Sequence, residues 1–535
     1  MKVNEKVLAG ALLSAALGAA AQPTNQGGRP LSLAAANARA LARNHAIAIE
    51  YETVRIGAAG VSRADAAYEP TLQLDTRYRD HTDPVNSVFS GAPPGKDAPN
   101  VSGVYGQAGV FQLLPTGANV SLSAGVARER TDNEFAILSP AYTASFGIDV
   151  RQPLLANRAI DPARRAIRVA RIDRDRSVAT LKRTVAETLA AVERAYWGVV
   201  AAQRDVDVRK KNVTLADEQR SDTRSRIEAG TLPESDLAQP NAEFERRKGE
   251  LYAAEENLSR AELGLKTLLL DDPADPFWNE RILPTDAPES ASEAPATLAA
   301  ALADAQSRRP ELLEAEETVK RQDVEILAAK DRVLPGLDLV ASYARRGLAG
   351  RQNPDAIGFG GLPPSAPEPL MGGLGRTFGT ISENRYPDAS IGLAFTLPIG
   401  NGAAKADVVV AESARRQATL VLSRTRQDVA VEVRNAYTAL ETAAQRIEAA
   451  KAGRAAAETQ LSAEKDRFGV GLSTNFFVLT RQNELSQAEV TETAALTDYK
   501  KALTELLRAT GALLDARHVK VSEDAPAIRA SGGIR

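Results

Sequence analysis

The residue types that most often carry chemistry are scarce in this chain. There is no Cys, which excludes disulfides, thiolate metal sites and a Cys nucleophile, and leaves nothing for N-terminal lipid attachment. The histidines His45, His81 and His518 are scattered and make no ligand pair. No catalytic triad, metal cluster, nucleotide loop or isolated carboxylate pair stands out. Two Gly-rich stretches, GFGGLPPS and GGLGRT, lack the Gly-Lys-Ser/Thr of a phosphate loop and read as loops. These patterns argue against an enzyme, and neither a cofactor nor a metal is expected. What stands out instead is a pair of glycines. Gly230, in SRIEAGTLPESDLAQ, and Gly471, in DRFGVGLSTNFFVLTRQ, each interrupt a long helical pattern a few residues after an arginine. Their chemistry is conformational, because Gly enters left-handed backbone at little cost.

The elements around these glycines occur twice. Arg226 and Gly230 stand 241 positions before Arg467 and Gly471. At the same offset VERAYWGVVAAQ, from Val192, lies over VRNAYTALETAA, from Val433, and Tyr196 meets Tyr437. At a second offset of 265, LAAANARALAR, from Leu33, lies over LAAALADAQSR, from Leu298, and Pro70, Leu72, Leu74 and Tyr78 meet Pro335, Leu337, Leu339 and Tyr343. The chain therefore reads as a two-fold repeat. The first copy covers 22–270, with strands in 71–152, a long helix over 160–229 and a helix over 234–270. An acidic, Pro-containing linker follows at 271–295. The second copy covers 296–514, with strands in 336–397, a long helix over 404–468 and a helix over 475–510, before a tail at 515–535. In the long helices, Leu189, Val192, Tyr196, Val199 and Val206 step by threes and fours, as do Val429, Val433, Ala436, Leu440, Ala443 and Ile447. Each helix would be about 100 Å long at ~1.5 Å per residue, and its narrow apolar stripe must lie against other helices.

Composition sets the class. Charged residues are 25% with a net charge of −3 and both signs interspersed, so no nucleic acid is expected as a partner. Residues 1–21 read as a secretory signal: Lys2 and Lys6, an apolar run from Val7 to Leu17, and a small-residue cleavage site ending at Ala21. The alternative is a buried helix. No other stretch approaches the ~20 apolar residues of a membrane helix, so any crossing must be made by strands. TLQLDTRYR, YTASFGIDVR and ASIGLAFTL alternate an apolar, often aromatic face with a small or polar one, and GLDLVASYARR does so less cleanly. Each has roughly the 9–11 residues that a tilted membrane strand needs. The alternative is a soluble sandwich. Long connections at 80–102 and 347–385, rich in Gly, Pro, Asn and Ser, suit the outer loops of a barrel. Residues 109–129 read as an extra hairpin turning at Pro115-Thr116-Gly117, with no evident place. The fold class expected is an α+β membrane protein, a β-barrel continued by a long α-helical barrel.

The order of these parts resembles the TolC-like outer-membrane efflux protein family. The turn stretches RIEAGTLPESDL and RFGVGLSTNFFVL and the strand-to-helix junctions RQPLLANR and TLPIGNGAAKA carry the resemblance, over Leu31 to Leu514. It implies a homotrimer in the lipid of the outer membrane of a Gram-negative-type envelope. Each subunit would give four strands to one barrel and helices to a periplasmic tunnel. Closed assembly also follows physically, since a few strands cannot close alone and lipid tolerates no unpaired edge. The implied function is export in a tripartite system with a periplasmic adaptor (membrane fusion protein) and an inner-membrane pump. Type I protein secretion is the alternative, and a periplasmic coiled-coil scaffold or adaptor is a further one. By position, Gly230, Thr231, Leu232, Gly471, Leu472 and Ser473 become adaptor-docking tips, unless they are turns only. Relatives often carry carboxylates in the entrance after the second Gly; here Phe477 and Thr480 hold those positions, with Phe476 beside them. The gate candidates are Phe477, Phe476, Thr480 and, on the first turn, Glu234 and Asp236. Phe477 is expected to face the lumen and Phe476 to pack between helices.

Overall fold

The computed structural model describes residues 28–82, 84, 90–288, 297–358 and 364–521. The signal sequence and its Ala21 cleavage site lie outside these residues. The elements in order are β1 (Arg29–Leu31), α1 (Leu33–Arg43), α2 (His45–Asp65), β2 (Thr71–Thr82), β3 (Asn100–Leu113), β4 (Asn119–Thr131), β5 (Leu138–Pro153), α3 (Pro162–Glu228), α4 (Ala238–Leu269), β6 (Ile282–Pro284), α5 (Leu298–Arg308), α6 (Pro310–Val333), β7 (Gly336–Gln352), α7 (Leu374–Ser382), β8 (Tyr386–Thr396), α8 (Gly402–Gly469) and α9 (Asn475–Ala509). Helix starts repeat as faithfully as helix spacing. Ser32 caps α1 by accepting from the Ala35 N–H at 3.2 Å, and Thr297 caps α5 by accepting from the Ala300 N–H at 3.2 Å. No described helix is long and apolar enough to cross a membrane.

Two compact units divide the chain. The first contains residues 28–45, 187–288 and 436–508 of those described. Its core gathers Val192, Tyr196 and Val199 of α3, Leu258, Leu265 and Leu269 of α4, and Phe277 and Ile282 of the segment that follows. That segment returns to the chain's start, where β6 pairs in parallel with β1. Tyr196 fastens it. Its fully buried hydroxyl lies 2.6 Å from Asp286 Oδ2 and 3.0 Å from the Leu31 carbonyl, and Asp286 in turn accepts from the Leu33 N–H at 2.8 Å. Burial first, and then the Asp286 carboxylate, push the Tyr196 phenol far above its ordinary pKa. Glu193, one turn away and fully buried, accepts from Asn37 at 3.0 Å and from the Thr504 hydroxyl at 2.7 Å, tying α1 and α9 to α3.

The second unit holds the sheet and the remaining helices. In it α6 is tied to α3 by Arg165–Glu325 at 2.7 Å and Arg183–Glu314 at 3.0 Å. The buried Arg309 guanidinium meets Glu311 at 2.9 Å and Glu432 of α8 at 2.7 Å. One six-stranded sheet runs in the order β2-β3-β4-β5-β7-β8, with every neighbouring pair antiparallel. This corrects the four strands that the family resemblance implied. The hairpin at 109–129 is the β3–β4 turn and its flanks, and it sits in the sheet between β2 and β5. An inserted pair reverses direction twice, so β5 keeps the direction it would have had beside β2.

Directly paired residues share a face, which fixes the sheet's two sides. Leu72 pairs with Val110, Val110 with Leu122, Leu122 with Ile148 and Ile148 with Tyr343. Phe146 lies on this side, as do Ile391, Leu393 and Phe395 of β8. The other side carries Asp75, Gln107, Ser145, Arg346 and Ser390. The edge strands β2 and β8 expose apolar residues, with Leu74 69% and Ile391 79% accessible. The described parts of the stretch 347–385 hold more secondary structure than a loop, while most of GFGGLPPS, residues 359–363, lies outside the described residues. β7 continues to Gln352, and the Gly-rich GGLGRT runs into α7. The β7 pairing with β8 stops at Arg346, opposite Tyr386, because the chain between them is used for that helix.

Candidate functional site

The two glycine turns lie in the first unit and close their helices by one hydrogen-bond scheme. At the end of α3 the Gly230 N–H donates to the Ile227 carbonyl at 2.9 Å and the Thr231 N–H to the Arg226 carbonyl at 3.0 Å. At the end of α8 the Gly471 N–H donates to Phe468 at 3.1 Å and the Leu472 N–H to Arg467 at 2.8 Å. This paired pattern is the Schellman motif, which requires a left-handed residue at the glycine. Gly230 has φ of 70° and Gly471 φ of 77°. A Cβ on either glycine would meet nothing within 4 Å. The need for Gly is therefore a backbone need and leaves the tips sterically open. The Arg226 guanidinium sits 5.6 Å from the centre of the Phe468 ring, bringing the two turns side by side.

Beyond the glycines the turns diverge. After Gly230, Thr231, Pro233, Glu234, Ser235 and Asp236 are exposed and Leu232 is half-buried, so the exposed charges are Glu234 and Asp236. The Thr231 hydroxyl folds back to donate to the Arg226 carbonyl at 2.8 Å. Around Gly471 the exposed large hydrophobic side chains are Val470, Leu472, Phe476 and Phe477, with Leu472 80% accessible, beside the exposed Arg467 and Thr474. Ser473 is not a free tip residue, because its hydroxyl donates to Glu464, which is 9% accessible and also 3.8 Å from Arg467. Nothing in the sequence signals this tie, since a carboxylate nine residues back in a helix has no motif of its own.

Phe476 and Phe477 are both about half-exposed, at 55% and 50%, with their rings edge to face 5.6 Å apart. Within one chain Phe476 is thus not buried between helices, as it was expected to be. The reason is helical geometry. The buried side chains of this turn are Val478 and Leu479. At ~100° per residue the buried direction, midway between them, lies about 110° from Phe476 and about 150° from Phe477. Ideal geometry turns Phe477 farther from that direction, while Phe476 is the slightly more accessible of the two. Thr480 is half-buried, its hydroxyl donating to the Phe476 carbonyl at 2.9 Å. Among the described residues no group of His, Asp and Glu is placed to hold a metal ion.

Farther up α4, Glu243 accepts from Arg246 and from Arg247, whose Nε lies 2.8 Å away, and Arg246 first and Arg247 next hold its carboxyl down at about 2. Burial lowers the Lys266 ammonium, which donates to the Trp278 carbonyl at 3.0 Å and the Glu280 carbonyl at 2.6 Å. Both groups brace the helix and neither faces the turns.

The family model described as outer membrane efflux protein matches residues 113–269 and 301–512, more than half of the chain. The chain belongs to the outer membrane efflux protein family. The family consists of outer-membrane channels and not of enzymes. Outer membrane efflux protein BepC of Brucella suis is 24% identical over 326 residues, which cover 61% of this chain and 63% of BepC, so the match spans under two thirds of that relative. The fold is that of solved channels. The CmeC outer membrane channel of Campylobacter jejuni superimposes with a TM-score of 0.62 at 15% identity, over 90% of this chain and 86% of CmeC. The open state of the MtrE outer membrane channel of Neisseria gonorrhoeae gives 0.58 at 17% identity, over 90% of this chain and 89% of MtrE.

Proposed function

We propose that this efflux-family protein is the outer-membrane conduit of a tripartite export system. Three copies close one barrel, their helices form a periplasmic tunnel, and the two glycine turns receive a periplasmic adaptor that couples the tunnel to an inner-membrane pump. The observation that carries the reading is the sheet. It has one mostly apolar face, one polar face and two edges with no partner among the described residues. Such a sheet is stable in lipid only if its edges are closed. With six antiparallel strands, β2 and β8 run in opposite directions, so β8 of one copy can continue the antiparallel pattern on β2 of the next. Three copies of six strands make eighteen.

The entrance follows from the turns. Phe477, projecting farthest from the buried side of α9, forms a ring of three in such an assembly, and an apolar ring in a narrow pore opposes ions by dewetting. Glu234 and Asp236 lie on the companion turn as the charged part of the same entrance.

Detergent extracts of outer membranes should contain the protein as a trimer, read from the mass of the purified particle; a soluble monomer in the periplasmic fraction would overturn the proposal. Strand number has its own test. Removing the β3–β4 hairpin leaves four strands per copy, and three copies of four make twelve. Barrel diameter grows roughly linearly with strand number, so the bore should shrink by about a third. The smallest neutral polymer excluded from the barrel mouth measures this.

A further inference from the structure

We propose that α7 is a lipid-facing helix, docked on the outside of the barrel wall with Leu374 and Phe378 in the acyl chains of the surrounding membrane. The inference rests on the barrel reading above and on three observations about the helix itself.

The first is its side. A Cβ at Gly347 would fall 2.3 Å from the Thr377 carbonyl oxygen and 2.9 Å from Ile381 Cγ1, so α7 lies directly over the face to which residue 347 points. Gly347 pairs with Ala144, which shares its face with Phe146 and Ile148. That is the apolar side of the sheet, the one the barrel turns toward lipid. The Thr377 hydroxyl donates to the Tyr142 carbonyl of β5 at 3.2 Å, so the helix spans β5 as well as β7.

The second is its polarity. Toward the sheet α7 turns Thr377 and Thr380, both fully buried, with the half-buried Ile381 beside them. Away from the sheet it presents Leu374 and Phe378, one helical turn apart, 39% and 49% accessible. A helix docked on a protein in water does the reverse. With its two largest exposed side chains apolar and its two fully buried ones hydroxyls, α7 has an arrangement that suits hydrocarbon, because a polar group there must find its partner within the protein. Each hydroxyl has one, since Thr380 donates to the Thr377 carbonyl at 2.7 Å.

The third is closeness. Close approach at a glycine, here with the Thr377 carbonyl nearest and Ile381 Cγ1 and Thr380 Oγ1 beside it, is how backbones approach in a membrane, where packing and not water expulsion drives association. The charges of α7 are also cared for: Arg376 reaches Glu383 at 3.1 Å and donates to the Pro369 carbonyl at 3.0 Å.

Because the chain has no Cys, single nitroxide labels test this directly. Phe378→Cys, Leu374→Cys, Ile391→Cys and Ser390→Cys variants are labelled in the full-length protein reconstituted in lipid bilayers. Collision with oxygen, which partitions into lipid, is compared with collision with a water-soluble nickel chelate. Labels at 378 and 374 should favour oxygen several-fold, as at 391, while 390 favours nickel. If 378 and 374 behave as 390 does while 391 remains oxygen-accessible, the helix faces water and the inference is wrong. If 391 also favours nickel, the barrel reading itself fails. Adding Gly347→Val to the 378-labelled protein should displace the helix and raise nickel access at 378; unchanged access would overturn the docking.

Discussion

The two copies of the repeat agree where backbone geometry is at stake and differ where side chains meet something outside the copy. Their glycine turns share φ, hydrogen-bond partners and an arginine at the same distance. Past the turn, one copy exposes Glu234 and Asp236 and the other Val470, Leu472, Phe476 and Phe477. In the strand region one copy supplies four strands and the other two strands and a helix. The turn geometry is an internal demand of ending a long helix, met twice in one way. Under the proposed function the tip surfaces and the strand regions answer to partners and membrane, and each copy has specialised.

The largest effect should come from breaking the turns. Gly230→Glu and Gly471→Glu should each leave the trimer intact and abolish export, measured as loss of resistance to an exported toxicant in cells that depend on this channel. Gly→Ala at the same positions isolates the backbone cost of about 1–2 kcal/mol for left-handed backbone and should export normally. If both Glu variants export at wild-type level, the tips are not the docking surface.

The difference between the turns comes next. Phe477→Ala should raise single-channel conductance of the purified protein several-fold, whereas Asp236→Ala should alter cation preference with little change in conductance. Conductance that rises for Phe476→Ala and not for Phe477→Ala reverses the facing assignment. The helix cores offer a smaller contrast. Tyr196 is buried with a hydroxyl on Asp286, while its counterpart Tyr437 is half-buried. Tyr196→Phe should cost about 1.5–3 kcal/mol, the range for a hydrogen bond to a charged group; Tyr437→Phe should stay within about 0.5 kcal/mol. Chemical denaturation reads both, and equal losses would show that burial at 196 is not what separates the copies. Least of all, Ser32→Ala and Thr297→Ala should each cost about 1 kcal/mol, and by similar amounts, because the two caps have the same geometry.

The sequence carried the helix caps, the glycine turns and the alternating strands, since each is written within a few residues of itself. Neighbour relations were harder. Residues 109–129 read as a hairpin, yet only pairing shows that β3 and β4 stand between β2 and β5. α7 has no clear signature in the sequence for a physical reason. It is short, its Gly375 and Gly379 argue for loop, and Leu374 and Phe378 face away from the protein while only Ile381 turns in, so no buried apolar stripe marks it. Ser473 looked like a free tip residue because its tie to Glu464 crosses the turn.

Strands that enter a closed wall in pairs behave like bricks laid two at a time. The β3–β4 pair leaves the chain heading the way it was before, so neither β5 nor the helices beyond it need re-aiming. A single added strand would send everything after it to the wrong side of the membrane. In the proposed three-copy barrel, bore can therefore change in steps of one hairpin per copy while the rest of the architecture keeps its heading, which would make width a separately heritable and separately engineerable property of this protein.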